Sequence, residues 1–157
     1  MARAGFYAIG GYDISFRRDG RWYADEEPIA NDRITLLFSK HVRPDGEGGW
    51  VIDVGIDRQG VEVEDTPLVV VAVEGDARNG FRVRTNDDVC DELAYHTLRI
   101  GDGNVLYCVV DRGERGVMPA RFLRPSYYHL MEHVEVSAGR AVLRVGDRRH
   151  PIGDAGD

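Results

Sequence analysis

Lysine is nearly missing from this 157-residue chain: Lys40 stands alone among 20 basic residues, and the rest are arginines. That bias fits either a preference for forked ion pairs or a GC-rich genome, and the genomic reading is adopted. Cysteine is almost as scarce. Cys90 and Cys108 cannot build a framework of several bridges, and neither sits in Cys-x-x-Cys or zinc-type spacing, so both read as buried thiols of a reducing cytoplasm. No apolar run exceeds residues 68–73, whereas a membrane span needs roughly 20. Gly5, Gly10 and Gly11 interrupt any apolar core in residues 1–11, which argues against an export signal and for a cytoplasmic protein. Acidic residues outnumber basic ones by 27 to 20, a formal charge of -7 with no dense basic run, which argues against a nucleic-acid binder. Only four serines occur, none with a convincing base and orienter, and the glycine-rich phosphate loops and the nucleophile elbow are missing.

What is present describes a soluble globular domain, 43% hydrophobic and 30% charged. A chain of this size buries about 68–70% of its unfolded surface and needs no metal or disulfide staple.

Residues 12–18 alternate in polarity, and Asp19-Gly20 then turns the chain into Trp22 and Tyr23, a strong hairpin signal. Asn31 or Asp32 caps a helix whose apolar positions Ile34, Leu37, Phe38 and His41 recur at helical spacing. Strands follow at residues 50–55 and 61–64. The unbroken run at 68–73 predicts a strand covered on both faces. Further strands are predicted at 81–85, 97–100 and 105–110, with a hairpin loop at 112–116. A second helix at 125–134 and a strand at 140–145 then repeat the beginning. Pro28 and Pro119 lie 91 positions apart, as do Gly55 and Gly146, and His41-Val42 precedes His133-Val134 by 92. The fold class expected is α+β, with two similar hairpin-helix-strand motifs joined by central antiparallel strands, β-rich with two main helices. One domain over residues 1–157 is expected to divide into a first motif at 12–66, central strands at 67–104 and a second motif at 105–157. A cleft between the two units is the natural place for a ligand.

Several patterns could carry chemistry. His129-Leu130-Met131-Glu132-His133 matches an inverted zinc-peptidase signature, with two imidazoles one helical turn apart and a glutamate to activate water. The third ligand would have to come from Glu135, Asp147, Asp154 or Asp157, and histidines ending a core helix carry the same pattern. Glu62 and Glu64 share one strand face, as paired carboxylates for a cation or as an ordinary solvated edge strand. Asp65-Thr66-Pro67 is turn chemistry that could aim a carboxylate at backbone amides. Thr85 and Asn86 end a strand in short polar groups, either a self-satisfied turn or a wall of the cleft. Arg121 and Arg124, beside Tyr127 and Tyr128, suit an anionic ligand, and arginine packed on tyrosine for structural reasons fits equally.

Taken in order, Ile14, Asp19-Gly20-x-Trp22-Tyr23, Pro28-Ile29, Leu37-Phe38, Val61-Glu62-Val63-Glu64-Asp65-x-Pro67, Phe81-x-x-x-Thr85-Asn86 and Arg121-Phe122-x-Arg124-Pro125-x-Tyr127-Tyr128 resemble the bacterial DUF1285 family. The resemblance covers residues 12–136. It departs at Val117-Met118-Pro119-Ala120, where the family has an Arg-Gly-Gly-Leu-Glu-Ala-like run, and it does not extend over residues 140–157. It implies an α+β fold of two similar motifs and a role in ligand-dependent signalling rather than catalysis, and it adds weight to Asp65, Thr85 and Asn86.

The expectation is a cytoplasmic, non-enzymatic signalling module that binds a small anionic ligand, or a protein partner, without cofactor or metal. Asp65, Thr85, Asn86, Arg121 and Arg124 are its candidate ligand-binding residues. The rival readings are a structural homodimer pairing through an edge strand, and a zinc-dependent hydrolase using His129, Glu132 and His133.

Overall fold

Asp19-Gly20 turns the chain between β1 (Ile14–Phe16) and β2 (Trp22–Ala24), with Gly20 at a φ of 81° that only glycine adopts freely. β3 (Glu27–Pro28) completes a meander. In the computed structural model, which describes residues 12–154, α1 then runs over Asp32–His41. The Asn31 side chain caps it, accepting from the amides of Arg33 and Ile34. A second meander of β4 (Val42–Pro44), β5 (Trp50–Asp53) and β6 (Arg58–Val63) returns the chain beside β1 in parallel, giving a six-stranded sheet ordered β3-β2-β1-β6-β5-β4. Phe16, Trp22 and Phe38 pack ring against ring between this sheet and α1, all of them buried.

Three strands follow: β7 (Leu68–Asp76), β8 (Gly80–Thr85) and β9 (Cys90–Glu92). After a 3-10 turn at Tyr95–Thr97 come β10 (Arg99–Gly101), β11 (Val105–Asp111), β12 (Val117–Phe122) and α2 (Arg124–Met131). The chain closes with β13 (Val134–Ser137), β14 (Arg140–Val145), β15 (Arg148–Pro151) and β16 (Gly153–Asp154). The second sheet is ordered β16-β10-β11-β12-β7-β8-β9, and β13-β14-β15 form a third.

The two halves are copies, strand for strand. Ser15 faces Tyr23 as Arg99 faces Tyr107, 84 positions on. Val42 faces Ile52 as Val134 faces Leu143, and Ile52 faces Gln59 as Leu143 faces His150. Glu62 runs parallel beside Ser15 as Gly153 runs beside Arg99. The counterpart of β6 is broken at Ile152, whose amide donates to Ala141 while that of Gly153 donates to Leu98, so β15 and β16 join different sheets. The α+β class, the two motifs and the central antiparallel strands are therefore present.

Local details differ from expectation for identifiable reasons. The ladder equates Pro28, opposite Tyr23, with Arg121, opposite Tyr107, so the Pro28–Pro119 match is two residues out of register. Pro119 lies inside β12, on the stretch that β7 has not yet joined, where its missing N–H leaves no partner unserved. The second copy opens with β10 at Arg99, ahead of the boundary at residue 105. In β7, Leu68, Val69 and Val70 are all buried, but a bulge between Val70 and Ala72 turns Val71 outward, 40% exposed, so the strand is not covered along its whole length. β6 is an inner strand, flanked by β5 and β1, not an edge; Glu62 lies on its exposed face and Glu64, also exposed, just past its end. Among the described residues no helix is long and apolar enough to cross a membrane. Residues 1–11 and Asp157, which entered the readings of export and of a zinc ligand, lie outside the described residues.

Candidate functional site

The N-terminus of α2 opens into a cleft of about 650 Å³. Two hairpin tips wall it, one carrying Arg18 and Asp19 between β1 and β2, the other carrying Gly103 and Asn104 between β10 and β11. Its floor and far wall are Arg121, Leu123, Arg124, Tyr127 and Tyr128. The cleft thus lies between the two copies, because the first hairpin reaches across to the second helix. Gly20 makes that approach possible: a Cβ there would sit 3.1 Å from both Leu123 Cδ1 and Val69 Cγ2.

Three of the five expected residues gather here. Arg121 lines the cleft and donates from Nη1 to Asp65 Oδ2 at 2.7 Å; Tyr107 donates its hydroxyl to the same oxygen at 2.8 Å. Asp65 therefore neutralises an arginine instead of turning onto backbone amides. Burial, and then the bond to Asp65, push the Tyr107 phenol up. Arg18 is similarly matched, with Glu64 Oε1 3.2 Å from its Nε. Arg124 differs, since among the described residues its only side-chain partner is the hydroxyl of Tyr128 at 3.5 Å and no carboxylate meets it.

Comparison of the copies shows what is special about this place. The equivalent cleft in the first copy, about 380 Å³, lies at the N-terminus of α1 and is lined by Gly20, Trp22, Asp32, Thr35 and Leu36. There the helix satisfies itself, because Asn31 caps it and Asp32 supplies negative charge to its first turn. In the second copy Leu123 replaces Asn31 with no side-chain cap, and Arg124 replaces Asp32. A helix end that carries partial positive charge has exchanged its internal anion for a cation.

Thr85 and Asn86 do not reach the cleft at α2, and Asn86 instead borders the smaller one at α1. Asn86 Oδ1 accepts from the Val69 amide and its Nδ2 donates to Ser39 Oγ, which also receives the Trp22 indole N–H, so the residue ties α1 to β7. Thr85 donates to Asp87 Oδ1 at 2.5 Å and accepts from Arg112. Asp87 is fully buried and is gripped by Arg112 and Arg115, each at 2.7 Å. Arg115 also donates to the carbonyls of Ser39 and Val42 at the C-terminus of α1. Asp87, Arg112 and Arg115 were visible in the sequence only as parts of turns. Their role comes from the β11–β12 hairpin, longer than its counterpart in the first copy, folding back onto α1.

The histidine motif is divided by the end of the helix. α2 stops at Met131, not at residue 134, so His129 is exposed on its last turn while His133 lies beyond it against Phe81, ring centroids 5.0 Å apart. The two imidazoles are 6.4 Å apart, and among the described residues no three His, Cys, Asp or Glu side chains converge on a point that a metal could occupy.

No family model matches the chain, and no curated protein does. Solved structures do match. A DUF1285 family protein from Silicibacter pomeroyi DSS-3 superposes with a TM-score of 0.62 over 92% of this chain and 81% of its own, at 20% identity. Another, from Shewanella baltica OS155, superposes with a TM-score of 0.60 over 77% of this chain and 91% of its own, at 18% identity. With the duplicated architecture and the motif order of residues 12–136, these likenesses show that the chain has the fold of the DUF1285 family proteins.

Proposed function

We propose that this protein is a non-enzymatic, cytoplasmic module of the DUF1285 kind that senses a small anionic metabolite in the cleft at the N-terminus of α2. The observation that carries the reading is the exchange of Asn31 and Asp32 in one copy for Leu123 and Arg124 in the other. An uncapped helix start beside an arginine that meets no carboxylate among the described residues favours an anion by its electrostatics. The Tyr127 and Tyr128 rings, edge to face at 5.3 Å, offer an apolar wall for the rest of the ligand. The volume of about 650 Å³ suits a metabolite rather than a polymer.

The test is a thermal-melt screen against dicarboxylates, sugar phosphates and nucleotides, cyclic ones included. A ligand at ~100 times its dissociation constant adds about 2.7 kcal/mol, several degrees for a domain of this size. The shift should vanish in Arg124→Ala combined with Arg121→Ala. A panel that leaves the midpoint unmoved, or a shift that survives both substitutions, would count against the reading.

A further inference from the structure

The duplication also places a second pair of equivalent grooves beside the parallel strand pairs, and these two have opposite charge. In the first copy the groove between β1 and β6 is walled by Asp13, Asp25, Glu26, Glu62 and Glu64, with Arg17 the single cation. In the second copy the matching groove, about 410 Å³, is lined by Tyr95, His96, Arg99, Arg140, His150 and Pro151 with Gly153, and no carboxylate among the described residues lines it. The ladders make the exchange explicit. Arg99 stands where the first copy has Ser15, and Gly153 stands where it has Glu62.

The two exchanges depend on each other. A Cβ at Gly153 would come within 3.0 Å of Arg99 Cδ and 3.1 Å of its Nε and Nη1, so the arginine lies across the space that the acidic side chain has vacated. Its Nη1 is fixed by the carbonyls of His96 and Leu98, at 3.1 and 2.8 Å, which orient the guanidinium without neutralising it. Arg140 has neither a side-chain hydrogen bond nor an ion pair among the described residues. Tyr95 and His150 stack at 4.3 Å, 16° from parallel, and form a flat wall; the Tyr95 hydroxyl, held by the Phe81 amide, anchors it. A cationic groove with an oriented fork is unexpected on a chain of net charge -7.

We propose that this groove is a second anion site, distinct from the cleft at α2, in which Arg99 and Arg140 hold a small phosphate-type oxyanion beside the Tyr95–His150 wall. Two unneutralised guanidinium forks suit the several acceptor oxygens of such a group.

The experiment is titration of the 15N-labelled protein with inorganic phosphate and pyrophosphate at ionic strength held constant with sodium chloride. Saturable shifts are expected at the amides of His96, Arg99, His150 and Gly153. The exposed substitution Arg140→Glu, which touches no packing, and Arg99→Ala should each weaken the apparent dissociation constant by about tenfold, the scale of one lost charge-assisted contact. Arg124→Ala should leave it unchanged. Shifts that never saturate, or a constant unaffected by Arg140→Glu, would overturn the proposal. Saturable binding lost in Arg124→Ala and kept in Arg140→Glu would also overturn it, placing the anion at α2 instead.

Discussion

Asp87 and Arg115 meet at 2.7 Å, and the same carboxylate oxygen lies 2.7 Å from Arg112 Nε, so one buried acid holds two arginines of the β11–β12 hairpin. Because Arg115 also caps the carbonyls of Ser39 and Val42, this acid fastens the first copy to the second. Removing it by Asp87→Ala leaves Arg115 with no carboxylate and Arg112 with Asp91 alone, at 2.7 Å, and breaking such a buried pair costs about 3–5 kcal/mol. Urea unfolding should show a correspondingly lower midpoint. A loss under 1 kcal/mol would mean that solvent reaches the pair.

The same carboxylate sets an acid limit. Burial pushes the Asp87 carboxyl up, but the bonds from Arg112 and Thr85 and the nearby charges outweigh it and hold the group below the usual carboxylate range. A depressed folded value means that the unfolded chain takes up the proton first. The stability that Asp87 contributes is therefore present above about pH 4, the unfolded value, and drains away as pH falls through its lower folded value. Melting curves from pH 6 to pH 2 should fall more steeply for the native protein than for Asp87→Asn. Parallel curves would show that other acids, such as Asp45, Glu64 and Asp76, whose carboxyls are also held low, dominate the acid limb.

Asn31 offers a test of the asymmetry between the helices. Its side chain serves two amides of α1, at 2.9 and 3.2 Å, and Asn31→Ala should cost about 1 kcal/mol, or roughly 2–4 °C in a domain of this size. Leu123→Ala removes no cap, so any loss there should track the packing of Leu123 near Gly20 and be independent of ionic strength. A loss in Leu123→Ala that falls with added salt, or no loss in Asn31→Ala, would contradict the account of the two helix ends.

What could be read from the sequence was what is local. The Asp19-Gly20 turn, the Asn31 cap and β14 each depend on a few neighbouring residues, and each lies where its pattern placed it. The repeat was legible through the helices and β14, where the copies keep an offset of 91 or 92. It was hidden at β10 and β11, because the longer β11–β12 hairpin leaves those strands at an offset of 84. The bulge at Val71 and the position of Pro119 depend on how far β7 runs beside its neighbours. The fate of Thr85 was set from a distance: its partner Arg112 lies 27 positions away, and nothing near Thr85 announces it. Arg121 and Asp65, 56 positions apart, were both singled out, yet only the parallel pairing of β12 with β7 brings them together.

The two thiols should separate cleanly by reactivity. Cys108 is buried in β11, and burial pushes its thiol up to about 12, so almost none is thiolate at neutral pH and no reagent has a path to it. Cys90 is half-buried at the start of β9, an edge strand, with solvent on one side. Iodoacetamide at pH 8 under native conditions should modify Cys90 alone, and mass spectrometry of tryptic peptides reads the site directly. Because Cys108 packs in the core with Leu106, Val110 and Met118, its alkylation should appear only with global unfolding and should follow the urea transition. Modification of Cys108 at low urea, before the fluorescence of Trp22 changes, would show instead that β11 opens on its own, and that the second copy is the less stable half of the molecule.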